Sequence, residues 1–157
     1  MALKLVLIRH GQAKGKKLGM TDFERELTEE GAAALREAFP RHLSLVEVDE
    51  GTELWTSTAV RARQTTAIAN ETLGIARVRE FDEMYEQDQF AFLSALSQSD
   101  ATTVVAVGHI PFMEDVCARL TGVYLGFSEG AAACVEIGNR EDMSRCRLLW
   151  FVQGPDA

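Results

Sequence analysis

The chain has 157 residues, 46% hydrophobic and 25% charged, the proportions of a globular protein with one core rather than of a fibre or a disordered chain. Its net charge of −8 excludes a general binder of nucleic acid or anionic membrane, because either partner needs a cationic face, and any phosphate pocket must be a local positive feature. The opening MALKLVLIRH is too short and too soon broken by charge for a secretory leader or a membrane span, so a cytoplasmic location is expected.

The first apolar run, over 3–8, reads as a buried strand that ends on Arg9-His10-Gly11. A polar loop follows, GQAKGKKLGMTDFERE, holding the one dense basic run, Lys14, Lys16 and Lys17. Most such runs are solvated, but beside a site this one could steer an acidic phosphorylated partner. Thr28 then stands as an N-cap before EEGAAALREAF, with Glu29 and Glu30 in the first turn where the helix dipole favours negative charge. Pro40 is expected to end that helix. A second strand, 53–57, leads into an Ala-rich helix capped by Ser57 or Thr58, reaching about Leu73 and stopped by Gly74. A third strand, 76–81, runs into the acidic stretch REFDEMYEQD, and residues 82–101 leave room for a short connection and one helix. The fourth strand, 103–107, ends on Gly108-His109. Pro111 suits a first helical position, and Phe112, Met113, Val116, Cys117 and Leu120 form one apolar stripe before Gly122. Strands over 131–137 and 147–152 complete the series.

Strands alternating with helices imply an α/β fold: residues 1–157 as a single three-layer α/β/α domain, with a mostly parallel central sheet of about six strands flanked by helices. Cys117, Cys134 and Cys146 are odd in number and lack any metal-binding spacing, so they read as small buried hydrophobes in a reducing compartment.

In an open α/β sheet, ligands bind beyond the carboxyl ends of the strands. A parallel arrangement brings Arg9-His10-Gly11, Ser57 to Arg61 and Gly108-His109 to one such edge. Each motif alone is more often a surface turn or a solvated helix residue. Their joint occurrence at strand-to-helix junctions points to an anion site. Arg9 and Arg61 offer planar forks that match phosphoryl oxygens, and the helix beginning near Ser57 offers backbone N–H groups. A histidine between fixed cations should resist protonation, which leaves a free imidazole nitrogen as nucleophile.

The motifs LVLIRHGQA, LTEEG, STAVRARQT and VVAVGHIP, in this order, resemble the histidine phosphatase superfamily, also called phosphoglycerate-mutase-like, and within it the small SixA-type phosphohistidine phosphatases. The resemblance implies that His10 takes up the phosphoryl group, that Arg9, Arg61 and His109 hold it, and that a phosphohistidine intermediate is hydrolysed by water without metal or cofactor. Gly11, Ser57 and Arg25 join them as candidate substrate contacts. Arg25, in DFERELT, fills a place where small relatives often carry a pocket-facing arginine, while Glu26 replaces their usual proline. A surface pair with neighbouring glutamates reads Arg25 equally well. The family takes its proton donor from the segment after the third strand. Glu83 is the best match, with Glu86 and Glu80 behind it, though a solvated acidic run explains any one of them as well.

Relatives that act on sugar phosphates carry an extra lid before the second histidine, and only residues 82–101 occupy that place here. A shallow pocket suits a phosphoryl group presented on a protein, so the expected substrate is phosphohistidine on a phosphorylated protein, with inorganic phosphate released. Two alternatives stand beside it: a phosphatase for small phosphate esters, and a non-catalytic phosphate-binding domain.

Overall fold

The first apolar run becomes β1 (Leu3–Arg9) in the computed structural model, which describes residues 2–156. Leu3, Leu5 and Leu7 join one hydrophobic cluster and Val6 and Ile8 another, so the strand is buried on both faces. The same alternation repeats in β2 (Thr52–Ser57) and β4 (Thr103–Gly108), where Trp55, Val104 and Ala106 face one cluster and Leu54, Val105 and Val107 the other. With β3 (Arg77–Phe81), β5 (Ala132–Asn139) and β6 (Ser144–Val152), they form one sheet in the order β3-β2-β4-β1-β5-β6.

The strands from β3 to β1 are parallel, whereas β5 pairs antiparallel with β1 and β6 antiparallel with β5. Exposed and half-buried residues alternate along much of β6, as expected of an edge strand with one covered face. Helices α1 (Glu29–His42) and α2 (Val60–Leu73) cover one face through Leu35, Phe39, Ile68 and Ala69. Helices α3 (Asp82–Tyr85), α4 (Gln89–Gln98) and α5 (Phe112–Thr121) cover the other through Met84, Phe92, Leu96, Phe112 and Val116. Among the described residues no helix is long and apolar enough to cross a membrane.

Four local expectations are corrected. Pro40 lies inside α1 rather than ending it: its ring removes one N–H, but the last turn continues to His42, and Leu43 N–H still donates to Phe39 O at 2.9 Å. The cap of α2 is Ala59, because the Ser57 and Thr58 hydroxyls are engaged elsewhere. Pro111 is the cap of α5 rather than its first residue. The stretch after β3 folds into two helices, α3 and α4, with Asp88 Oδ1 accepting the Ala91 N–H at 3.0 Å to start the second. Gly74 ends α2 as expected, with a φ of +65° that an L side chain rarely adopts.

Candidate active site

Parallel register brings the strand ends to one edge: Arg9 lies beside Gly108, and Ser57 beside Phe81. His10 N–H donates to Gly108 O at 2.9 Å, one residue beyond the ladder of β1 and β4, which fixes the backbone carrying the imidazole. From the opposite side Gly130 N–H donates to Arg9 O at 3.0 Å and to His10 O at 3.1 Å. Gly130 has a φ of +82°, and a Cβ there would come within 2.8 Å of Leu35 Cδ2, so this close clamp requires glycine.

His10 Nδ1 donates to Gly11 O at 2.7 Å, while Arg61 Nε donates to His10 Nε2 at 3.3 Å. Both bonds demand the same tautomer, with the proton on Nδ1 and the lone pair on Nε2. The Gly11 amide donates to Thr65 Oγ1 at 3.1 Å, so α2 holds the peptide that sets this tautomer. The His10 pKa falls to about 4. Burial is the leading cause, the Gly11 carbonyl acts the other way, and the charges of Arg61, Arg9 and Arg25 add to the depression. The arginines therefore reinforce what burial begins.

His109 lies across from it, with ring centroids 5.2 Å apart. Its Nε2 is 2.7 Å from Ser57 Oγ, which also accepts the Ala59 N–H at 3.3 Å. The other ring nitrogen, Nδ1, is buried and has no hydrogen-bond partner among the described residues. Burial lowers the His109 pKa to about 3, with further depression from His10 and Arg61. Arg9 donates through Nη1 to Phe127 O at 2.9 Å, and its buried Nε also lacks a hydrogen-bond partner among the described residues. Two neutral imidazoles beside two permanent cations make a site for an anion that accepts hydrogen bonds and can be attacked at its centre.

Arg25 reaches the same neighbourhood, since its charge acts on His10, and its Nε donates to Lys14 O at 2.8 Å. Glu83 sits half-buried on α3, and its carboxylate makes no hydrogen bond among the described residues, while its main-chain oxygen accepts the Asp88 N–H at 2.9 Å. Glu86 is exposed, and Glu80 accepts from Arg63 Nη2 at 2.7 Å. From this segment Tyr85 reaches the site, its ring edge-on to His109 at 5.6 Å. Lys14 pairs with Glu26 at 3.8 Å, while Lys16 and Lys17 are exposed.

Asp22, Tyr85, Thr65 and Phe127 had no part in the sequence-based site. Only Asp22 left a signal, its spacing to Arg25 in DFER. Its carboxylate accepts from Arg25 Nη1 at 2.9 Å, Arg61 Nη2 at 3.1 Å and Tyr85 Oη at 3.0 Å. Burial works against ionisation, yet these bonds and the Arg61 charge hold its pKa down at about 2. Among the described residues no three of His, Cys, Asp and Glu converge as a metal site.

The family model of the histidine phosphatase superfamily, branch 1, matches residues 5–90. No curated protein sequence gives a significant match. A solved structure from Nakamurella multipartitia, named a candidate phosphohistidine phosphatase SixA, is 27% identical with a TM-score of 0.81, and the match covers 100% of this chain and 98% of that one. A candidate phosphohistidine phosphatase SixA from Agrobacterium tumefaciens is 28% identical with a TM-score of 0.79, covering 96% of this chain and 97% of that one. The protein histidine phosphatase SixA complexed with tungstate shares the fold at 21% identity and a TM-score of 0.77, covering 96% and 97% of the two chains.

Proposed function

Because the chain belongs to the histidine phosphatase superfamily, branch 1, and is a phosphatase of that superfamily, we propose that it removes phosphoryl groups through a covalent phosphohistidine on His10, with phosphohistidine on a protein as its substrate. The observation that supports this reading best is the unprotonated His10 Nε2, held by the Gly11 carbonyl on one side of the ring and faced by Arg61 Nε at 3.3 Å on the other.

In the first step the Nε2 lone pair forms a bond to phosphorus while the bond from phosphorus to the leaving nitrogen or oxygen breaks in line. Its electron pair departs with the leaving group. Arg9, Arg61 and His109 take the charge on the three equatorial oxygens, with Gly11, Ser57 and Arg25 around them. In the second step water attacks phosphorus, the P–N bond returns its electrons to Nε2, and inorganic phosphate leaves with the oxygen from water. Solvent takes up the proton that water loses.

Leaving-group protonation separates the substrate classes. An imidazole leaves readily after proton uptake from solvent, whereas an alkoxide needs a positioned acid. Glu83, by its place after β3, is the candidate donor, and its carboxylate is held by no hydrogen bond among the described residues. The candidate SixA proteins of similar structure support a protein substrate, as does the short connection formed by α3 and α4. A cytoplasmic setting is supported by the three free cysteines.

The test compares wild type, His10→Ala and Glu83→Gln on a phosphohistidine-bearing protein and on an alkyl phosphomonoester. The reading predicts turnover of the phosphoprotein that His10→Ala abolishes and Glu83→Gln changes less than about 3-fold. Faster turnover of the ester, lost in Glu83→Gln, would establish a small-ester phosphatase instead. Turnover of neither substrate, with phosphate still bound, would leave a binding domain.

A further inference from the structure

Asp22 lies on no strand end, yet three side chains of the site converge on it. Arg61 holds it with both terminal nitrogens: Nη1 donates to the Asp22 main-chain oxygen at 2.8 Å, and Nη2 to Oδ2 at 3.1 Å. The remaining guanidinium nitrogen, Nε, points at His10 Nε2 at 3.3 Å. A guanidinium has two edges that can grip an oxyanion, one formed by Nη1 and Nη2, the other by Nε and Nη2. Asp22 fills the first. The second is thereby turned toward the atom on which a transferred phosphoryl group must sit.

The carboxylate is itself anchored. Arg25 Nη1 holds Oδ1 at 2.9 Å and Tyr85 Oη holds Oδ2 at 3.0 Å, while the Tyr85 ring is wedged edge-on against Phe23 and His109. The loop carrying Asp22 is closed at its base, where Lys14 N–H donates to Glu26 O at 2.8 Å and Ala13 bridges Leu27. Asp22 then begins a 3-10 turn, Asp22–Glu24, whose entry is fixed by Thr21 N–H and Oγ1 donating to Glu24 Oε1 at 3.0 and 2.8 Å. An ordinary solvated ion pair at i, i+3 would account for Arg25 alone. It would not account for Arg61, whose side chain is only 7% exposed and whose outward edge has, among the described residues, no other hydrogen-bond acceptor than this one.

Resting on the phosphatase reading of the same site, we propose that Asp22 is the positioning residue for Arg61: by occupying the outer edge of its guanidinium it aims the inner edge at the phosphoryl group on His10. Asp22 is no proton donor, since it stays ionised at neutral pH. Nor is it an anion that substrate must displace, because it occupies the edge that faces away from His10.

The experiment compares wild type with Asp22→Ala and Asp22→Asn. Three quantities are measured: turnover of an aryl phosphate, calorimetric affinity for inorganic phosphate, and Tm. In Asp22→Ala kcat/KM falls about 100-fold, as expected when a charged group loses its aim by about 1 Å, and inorganic phosphate binds more weakly. Asp22→Asn retains the main-chain oxygen and a side-chain oxygen for Arg61 and recovers about 10-fold of that loss, although its Tm is no higher than that of Asp22→Ala. Activity within 2-fold of wild type in both variants, or tighter binding of inorganic phosphate by either, overturns the proposal. If wild type itself turns over no aryl phosphate while Asp22→Ala still weakens phosphate binding, the phosphatase reading fails and the positioning role stands.

Discussion

Acidification tests the environment of His10 directly. Its pKa of about 4 means that at pH 5 roughly nine-tenths of the imidazole remains neutral, whereas an unperturbed histidine at 6.5 would be only about 3% neutral. The nucleophilic form is then about 30-fold more abundant at pH 5 than an exposed histidine would allow. The difference from 6.5 corresponds to about 3 kcal/mol, and its sign follows from proton uptake. The folded chain binds fewer protons at His10 than the unfolded chain, so this stability is fully present above pH 6.5 and is lost as the pH falls from 6.5 toward 4. The assay is an NMR titration of the histidine ring resonances, assigned with His10→Gln and His42→Gln, together with denaturant unfolding between pH 7 and pH 4.5. The expected result is a His10 midpoint near 4 and a stability that declines over that interval. A His10 midpoint of 6 or above would refute the argument that burial, reinforced by arginines, keeps Nε2 unprotonated.

Removing the Ser57 hydroxyl in Ser57→Ala leaves His109 Nε2 without its partner at 2.7 Å, and this should lower stability by about 1–2 kcal/mol and kcat by roughly 10-fold, read by urea unfolding and aryl phosphate turnover. Charge reversal at the exposed Lys16 and Lys17 should slow turnover of an acidic phosphoprotein several-fold at low salt and leave a small aryl phosphate unaffected, with the difference shrinking as salt is raised. Arg140 is buried at 7% exposure and donates to Ala2 O at 2.8 Å and Ala101 O at 2.6 Å, so it ties the start of β1 to the approach to β4. Arg140→Met should cost about 2 kcal/mol and lower Tm by about 4–8 °C while kcat of the folded enzyme is kept, as thermal unfolding and assays well below Tm would show.

The central strands β1 and β4 were legible because they are buried on both faces and read as nearly continuous apolar runs. RHG, RARQT and GH could be placed together because strand ends in a parallel sheet share an edge. Neither clue reports on a loop's path. Asp22 reaches Arg61 only because residues 14–26 fold back on themselves, a route set by a single pairing of Ala13 with Leu27 and a 3-10 turn. The α2 cap was misplaced for a related reason: Ser57 has the chemistry of a cap, but His109, distant in sequence, takes its hydroxyl. In the acidic run after β3, Glu83 was favoured over Glu86 and Glu80 by its match to the family's glutamate. Side-chain direction follows from the turn of α3, which also brings Tyr85 to His109. Spacing located the imidazoles; the side chains that orient them depend on contacts without local periodicity.

The central claim is that His10 carries the phosphoryl group on Nε2. It is tested most directly by quenching the enzyme in alkali during turnover of a phosphohistidine-bearing protein and locating the phosphoryl group by phosphorus NMR and tandem mass spectrometry. An acid-labile phosphoryl group on His10, bonded to Nε2 and absent from His10→Ala, is the predicted result. A phosphoryl group on His109, or on Nδ1 of His10, or turnover without any phosphorylated histidine on the enzyme, would contradict it.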